Sequence, residues 1–213
     1  MRPAFSLVLV TDRCASPVPV PDAVRAALAE LPPGAAAVQL REKDLEGRAL
    51  AELARALLLL CRAHETPLLV NDRLDVAIAV GAQGVQLART SVGPAEARSL
   101  LGPAALIGVS CHSTGEVREA LGPADFALFG PIFDTPSKRA YGPPLGVGAL
   151  AEAAKLGLPL YAVGGVTAER TRELAGARGV AAIGSGLGAR DPATAVKRLW
   201  SALGHLPPSS RGT

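Results

Sequence analysis

The chain is predicted to fold as a single closed (β/α)8 barrel, the TIM-barrel form of the α/β class, and three observations predict it. Short apolar runs alternate with longer stretches of helical period, and eight such pairs fit in 213 residues. The apolar runs lack strict alternation, as expected of parallel strands buried on both faces. A polar motif stands at the same end of run after run. These are VQLREK (Val38 to Lys43), LLVNDR (Leu68 to Arg73), IGVSCH (Ile107 to His112), FGPIFDTPSK (Phe129 to Lys138), AVGGV (Ala162 to Val166) and IGSG (Ile183 to Gly186). Polar groups at one end of many strands read as one site at the carboxyl mouth of a barrel. An open doubly wound sheet is the rival, but it concentrates its glycines in one dominant turn.

The elements follow in order. Leu7–Val10 is the first strand and Pro21–Leu31 a helix with proline at its start. Ala37–Leu40 is the second strand, followed by a long amphipathic helix over Gly47–His64. Leu68–Val70 precedes a short helix at Leu74–Val80, and Gly84–Leu87 precedes one at Pro94–Leu101. Leu106–Val109 leads to a helix at Thr114–Leu121, and Phe126–Phe129 to one at Val147–Lys155. Leu160–Val163 leads to Ala168–Ala175, and Val180–Ile183 to Ala193–Leu203, with Asp191 as cap and Pro192 at the first helical position. No low-complexity linker divides the chain. One domain is expected over residues 1–204, with the Pro- and Ser-rich stretch 205–213 as a fraying tail.

Composition narrows the function. Apolar residues at 49% and charged ones at 19% describe an ordinary globular chain, and with aromatics at 3% its core is expected to be aliphatic. The net charge of +3 is spread out, with no basic stripe interleaved with aromatics, which argues against nucleic acid and suits anionic small molecules. Cys14, Cys61 and Cys111 have no metal-ligand spacing and leave an odd count, so neither a disulfide framework nor a structural zinc is expected. A reducing cytoplasm is the simplest setting. No signal pattern opens the chain, and Ala49 to Cys61 is too short and too charged to span a membrane.

Several residues carry candidate chemistry. Gly164-Gly165 and Gly184-Ser185-Gly186 follow the last two strands, where small residues let backbone N–H groups meet a phosphate; tight turns alone would also want glycine. Gln39, Arg41 and Lys43 alternate along an extended segment and so share one face. Two cations and an amide suit a pyrophosphate, unless Glu42 and Asp44 merely pair with them on a solvated loop. Asn71-Asp72 lies at the exit of the third strand, where Asp72 either ligates Mg2+ or caps the next helix. Ser110 and His112 follow the fifth strand without the elbow of a nucleophilic serine. Ser110 is expected to donate to a phosphate oxygen, and His112 to carry a proton or start a helix. Thr135, Ser137 and Lys138 place two hydroxyls and an ammonium on a proline-stiffened loop, as a clamp or lid would.

The ordered set VQLREK, VNDR, GVQL, GVSCH, FGPIFDTPSK, VGGV and IGSG resembles the thiamine phosphate synthase superfamily, which includes the TenI-type thiazole tautomerases; the resemblance spans Leu7 to about Trp200. It implies a small (β/α)8 barrel joining hydroxymethylpyrimidine pyrophosphate to thiazole phosphate. In that reading Gln39, Arg41, Lys43 and Asn71 hold the pyrimidine and pyrophosphate end, and Asp72 ligates Mg2+. Ser110, Thr135, Ser137 and Lys138 stabilise the leaving pyrophosphate, and Gly165 and Ser185 hold the thiazole phosphate. Members often form homo-oligomers. Two positions depart from the synthase pattern. Ser91 stands where a second metal-binding aspartate is usual, with Arg89 nearby, and Gln86 stands where histidine is frequent. The tautomerase branch lacks the metal and uses a histidine at the position of His112, and a non-catalytic phosphate-binding relative is a third possibility.

Overall fold

The computed structural model describes residues 3–135, 139 and 142–204. Its eight apolar runs form eight parallel strands: β1 (Leu7–Val10), β2 (Ala36–Leu40), β3 (Leu68–Asn71), β4 (Gly84–Leu87), β5 (Leu106–Cys111), β6 (Phe126–Phe129), β7 (Leu160–Val163) and β8 (Gly179–Ala182). Each pairs with its sequence neighbours, and β8 returns to β1 through Leu7 opposite Val180, closing the barrel. The connecting helices are α1 (Val20–Leu28), α2 (Gly47–Ala63), α3 (Leu74–Val80), α4 (Pro94–Leu101), α5 (Thr114–Ala120), α6 (Gly146–Ala154) and α7 (Pro192–Leu203). Between β7 and β8 the expected α-helix is a 3₁₀ helix, Ala168–Glu173. It is a short connector, where the tighter i to i+3 pattern is at home. Asp191 does cap α7, its side chain accepting from the Thr194 N–H at 3.1 Å. Ser137, Lys138 and the expected tail 205–213 lie outside the described residues.

Side-chain alternation along each strand splits the core in two. One set, including Leu7, Leu9, Val38, Leu40, Val70, Val85, Ile107 and Val180, packs against the helices and is mostly aliphatic, with Phe129 as a buried aromatic among them. The other set lies inside the barrel: Phe5, Val8, Val10, Ala37, Leu69, Phe126, Leu128, Tyr161 and Ala181. Three of the chain's few aromatics meet there. Phe5 and Phe126 stand edge to face at 5.7 Å between ring centroids, with Tyr161 5.2 Å from Phe5 and 5.4 Å from Phe126. Tyr161 donates its hydroxyl to the Phe5 carbonyl at 2.7 Å. Phe5 precedes β1 and Phe126 opens β6, so this cluster plugs the amino-terminal end and leaves the polar residues at the other.

The plug needs glycine above it. A Cβ on Gly108 would lie 2.3 Å from Phe126 Cζ and 2.2 Å from Gln86 Oε1, so no side chain fits at that point of β5. Below the plug, the Asp125 carboxylate accepts from the Ile107 N–H at 2.8 Å and from Arg98 at 2.6 Å, tying α4 to the start of β6.

The cysteines differ sharply in setting. Cys61 and Cys111 are buried, and burial pushes each thiol up to about 12, whereas Cys14 is exposed. Thiols that stay protonated and shielded do not alkylate. Intact-mass analysis after maleimide treatment at neutral pH should therefore show one adduct on the native chain and three after unfolding. Two native adducts would contradict the packing of α2 or β5.

Candidate functional site

By alternation, the inward-facing residues at the carboxyl ends of β2 to β5 are Gln39, Asn71, Gln86 and Ser110. They come from four adjacent strands, in register Asn71 opposite Gln86 on β3 and β4. Gln39 is buried at 2% exposure and donates its Nε2 to Asn71 Oδ1 at 2.8 Å. Asn71 in turn donates its Nδ2 to Asp72 Oδ2 at 2.8 Å. The other Asp72 oxygen accepts from the Ala88 N–H at 2.8 Å and from the Ser91 hydroxyl. Ser91 Oγ itself accepts from Ala88 N–H at 2.9 Å, so its single proton points at Asp72. Asp72 sits at φ +60°, a left-handed conformation that aspartate tolerates better than most residues.

This arrangement corrects the helix-cap alternative for Asp72. Arg73, not Asp72, is the N-cap of α3, and no side chain caps it. The Asp72 carboxylate turns across to the exit of β4, and Ser91 is the residue it meets there.

On β5, the Ser110 hydroxyl accepts from Gln86 Nε2 at 3.2 Å. Past the strand end, His112 is exposed; its backbone N–H donates to Glu116 at 2.6 Å, and its Nδ1 lies 2.5 Å from the Gly130 carbonyl. A carbonyl only accepts, so Nδ1 is the donor in this contact, and in the neutral ring the lone pair lies on Nε2.

Arg41 and Lys43 lie beyond the carboxyl end of β2, which stops at Leu40, and Lys43 is in a turn, so the strand alternation expected to align them with Gln39 does not extend that far. The carboxylates expected to pair with them are occupied elsewhere. Glu42 is buried and accepts from the Arg13 backbone N–H at 3.0 and 3.2 Å, and the Arg13 guanidinium pairs with Asp44. Among the described residues, Arg41 and Lys43 have no carboxylate partner. Thr11 steadies this segment by accepting from the Arg41 N–H at 2.9 Å. Nothing in the sequence pattern singled out Arg13, because the partner it meets lies 29 residues away.

The glycines after β7 have a packing role. A Cβ on Gly164 would lie 2.5 Å from Pro131 Cβ, and one on Gly165 would lie 2.7 Å from the Asp134 carbonyl oxygen. Both also have positive φ, so the segment after β6 is seated on a turn only glycine makes easily. Arg170 caps this contact, with its guanidinium 4.7 Å from the Phe133 ring centroid and bonded to the Gly165 carbonyl at 3.2 Å. The backbone N–H groups of Gly165, Gly184 and Ser185 have no partner among the described residues and are available to an anion. Thr135 is half-buried and follows Asp134, whose exposed carboxylate is paired with Arg139 at 2.6 Å; that hydrogen bond holds it below the usual carboxylate range.

The oxygens around Asp72 fit a hard cation held by one carboxylate. Asp72 contributes the charge and Ser91 an adjacent hydroxyl. About four lone-pair directions exist on a carboxylate, so acceptor capacity remains beside the three hydrogen bonds. Among the described residues no group of three His, Cys, Asp or Glu side chains could hold a metal by itself. A cation held there would draw its other ligands from phosphate oxygens and water, as Mg2+ commonly does.

Residues 7–185 match the family model for thiamine monophosphate synthase. The chain is 45% identical over 212 residues to a putative thiamine-phosphate synthase of Geobacter sulfurreducens, covering 97% of each chain. It is 40% identical over 196 residues to the thiamine-phosphate synthase of Roseiflexus castenholzii, covering 90% of this chain and 85% of that one. A solved thiamine phosphate pyrophosphorylase from Pyrococcus furiosus superposes with a TM-score of 0.85 at 31% identity, covering 95% of this chain and 97% of that one.

Proposed function

The chain belongs to the thiamine monophosphate synthase family, and we propose that it joins hydroxymethylpyrimidine pyrophosphate to thiazole phosphate, releasing pyrophosphate. The observation that carries this reading is the convergence of Gln39, Asn71, Asp72 and Ser110 from adjacent strand ends, followed beyond β2 by two cations, Arg41 and Lys43, without carboxylate partners among the described residues. In the reaction the carbon–oxygen bond to pyrophosphate breaks, and the thiazole nitrogen donates its lone pair to the pyrimidine methylene carbon. The electron pair of the broken bond leaves with the pyrophosphate, so no general base or nucleophile from the protein is required.

Catalysis then consists of positioning and charge stabilisation. Gln39 and Asn71 orient the pyrimidine. Arg41, Lys43 and Ser110, together with Thr135, Ser137 and Lys138, take the charge that grows on the leaving group. The free N–H groups of Gly165 and Ser185 hold the phosphate of the thiazole, keeping its nitrogen facing the carbon. Asp72, assisted by Ser91, would hold Mg2+. When bound, that ion supplies positive charge that makes pyrophosphate a better leaving group. Exclusion of water from this mouth matters, because water would otherwise capture the electrophilic methylene.

The test is formation of thiamine phosphate, read by its fluorescent oxidation product, from both substrates and Mg2+. Robust metal-dependent product is expected. In the same assay Arg41→Ala and Lys43→Ala should each raise KM for the pyrophosphate substrate about tenfold, the weight of one charge-assisted contact. The free Nε2 of His112 supports a second reading, isomerisation of a thiazole carboxylate phosphate. Turnover of that substrate, lost in His112→Ala and kept in Asp72→Ala, with no thiamine phosphate formed, would replace the first reading.

A further inference from the structure

We propose that Gln86 is a positioning residue for Ser110: its side-chain amide fixes the direction of the serine's hydroxyl proton, so that Ser110 donates out of the barrel toward a pyrophosphate oxygen. This rests on the reading of the mouth as a pyrophosphate site.

Gln86 is 1% exposed and lies inside the barrel, opposite Gly108 in the β4–β5 register. Its Nε2 donates to Ser110 Oγ at 3.2 Å. A hydroxyl has one proton and two lone pairs. With a lone pair taken from the inner side, the proton is free to point outward, and no acceptor among the described residues claims it. A pyrophosphate can only accept, so this is the polarity that binds it. The reversed amide would present Oε1 to the serine and draw the proton inward. Only lone pairs would then face the anion.

The structure holds the first orientation, with Nε2 and not Oε1 toward the serine. Gln86 Oε1 is buried and has no hydrogen-bond partner among the described residues. It lies 2.2 Å from the point a Gly108 Cβ would occupy, and Phe126 Cζ lies 2.3 Å from the same point. Gly108 provides the room for this amide, since a side chain there would meet both Gln86 and Phe126. An unsatisfied buried carbonyl in a native core calls for a functional explanation, and the orientation of Ser110 supplies one.

The experiment measures binding of inorganic pyrophosphate with Mg2+ by titration calorimetry on the full chain, with steady-state kinetics beside it. Gln86→Met keeps the shape and removes the amide. It should weaken pyrophosphate binding and raise KM for the pyrimidine pyrophosphate by about fivefold, one hydrogen bond's worth, with KM for thiazole phosphate unchanged. Its melting temperature should not fall, because an orphan acceptor is removed. Gln86→His retains a ring N–H donor and should recover most of the binding. In a Ser110→Ala background, Gln86→Met should have no further effect, since it acts only through the serine. Additive losses, unchanged binding in Gln86→Met, or a Gln86→His variant as weak as Ser110→Ala would overturn the proposal. A wild-type chain that binds no pyrophosphate and forms no thiamine phosphate would overturn the underlying reading instead.

Discussion

Replacing Asp72 by asparagine is expected to lower kcat/KM for thiamine phosphate formation by roughly a hundredfold or more, the scale seen when a preorganised charge-stabilising group is removed. The substitution isolates the carboxylate. Asparagine accepts the left-handed φ of +60° at this position at least as readily as aspartate, so the turn between β3 and α3 is kept. The hydrogen bonding is not kept. Three donors, from Asn71, Ala88 and Ser91, converge on the two Asp72 oxygens. An amide offers one acceptor oxygen and sets its NH2 against at least one of those donors. Leaving a half-buried donor unpaired costs about 1–3 kcal/mol, so the melting temperature should fall modestly. The kinetic loss is larger because the mouth also loses the single negative charge that would hold Mg2+. Ser91→Ala should cost far less, since Ala88 and Asn71 still hold the carboxylate. The check is initial rate against Mg2+ concentration for the three proteins. An Asp72→Asn enzyme with an unchanged Mg2+ dependence would remove Asp72 from the metal site.

The barrel was legible because its signal is repeated. Each strand is a short apolar run and each helix a periodic one, and several pairs, such as Leu74–Val80 and Gly84–Leu87, carry the same bounds in sequence and structure. What pattern could not show is chemistry across strands. Ser91 appears in the sequence only as a missing aspartate; in the structure it is a hydroxyl bonded to Asp72 across 19 residues of chain. Gln86 appears only as a missing histidine; its burial and its reach to Ser110 depend on Gly108 one strand away. Adjacency suggests pairing of Arg41 and Lys43 with Glu42 and Asp44, but Arg13, on another strand's loop, takes both carboxylates. The aromatic plug escaped notice because Phe5, Phe126 and Tyr161 are isolated in sequence and adjacent only once the barrel closes.

The other large effect belongs to the opposite end of the barrel, where residues carry stability and not chemistry. Asp125→Ala should destabilise the chain by about 3 kcal/mol while leaving KM for both substrates unchanged, because breaking a buried, hydrogen-bonded pair leaves its partners uncompensated. The Asp125 side chain is 5% exposed and Arg98 24%. Its loss orphans the Ile107 N–H at the start of β5 and deprives the guanidinium of its counter-charge, although the Ala105 carbonyl still accepts from Arg98. For a chain of this size, that energy lowers the melting temperature by roughly 6–12 °C. The pH dependence has a definite sign. Burial pushes the Asp125 carboxyl up, but the hydrogen bonds it accepts, those from the Ile107 N–H and Arg98 among them, together outweigh burial and hold the folded value below the ordinary one. A carboxyl depressed in the folded state stabilises fully above its unfolded value, and that contribution drains away as pH falls through the folded one. The gap in melting temperature between wild type and Asp125→Ala should therefore be full at neutral pH and shrink in acid. A gap that stayed constant down through the carboxylate range would mean that Asp125 stabilises the barrel by packing and not by charge.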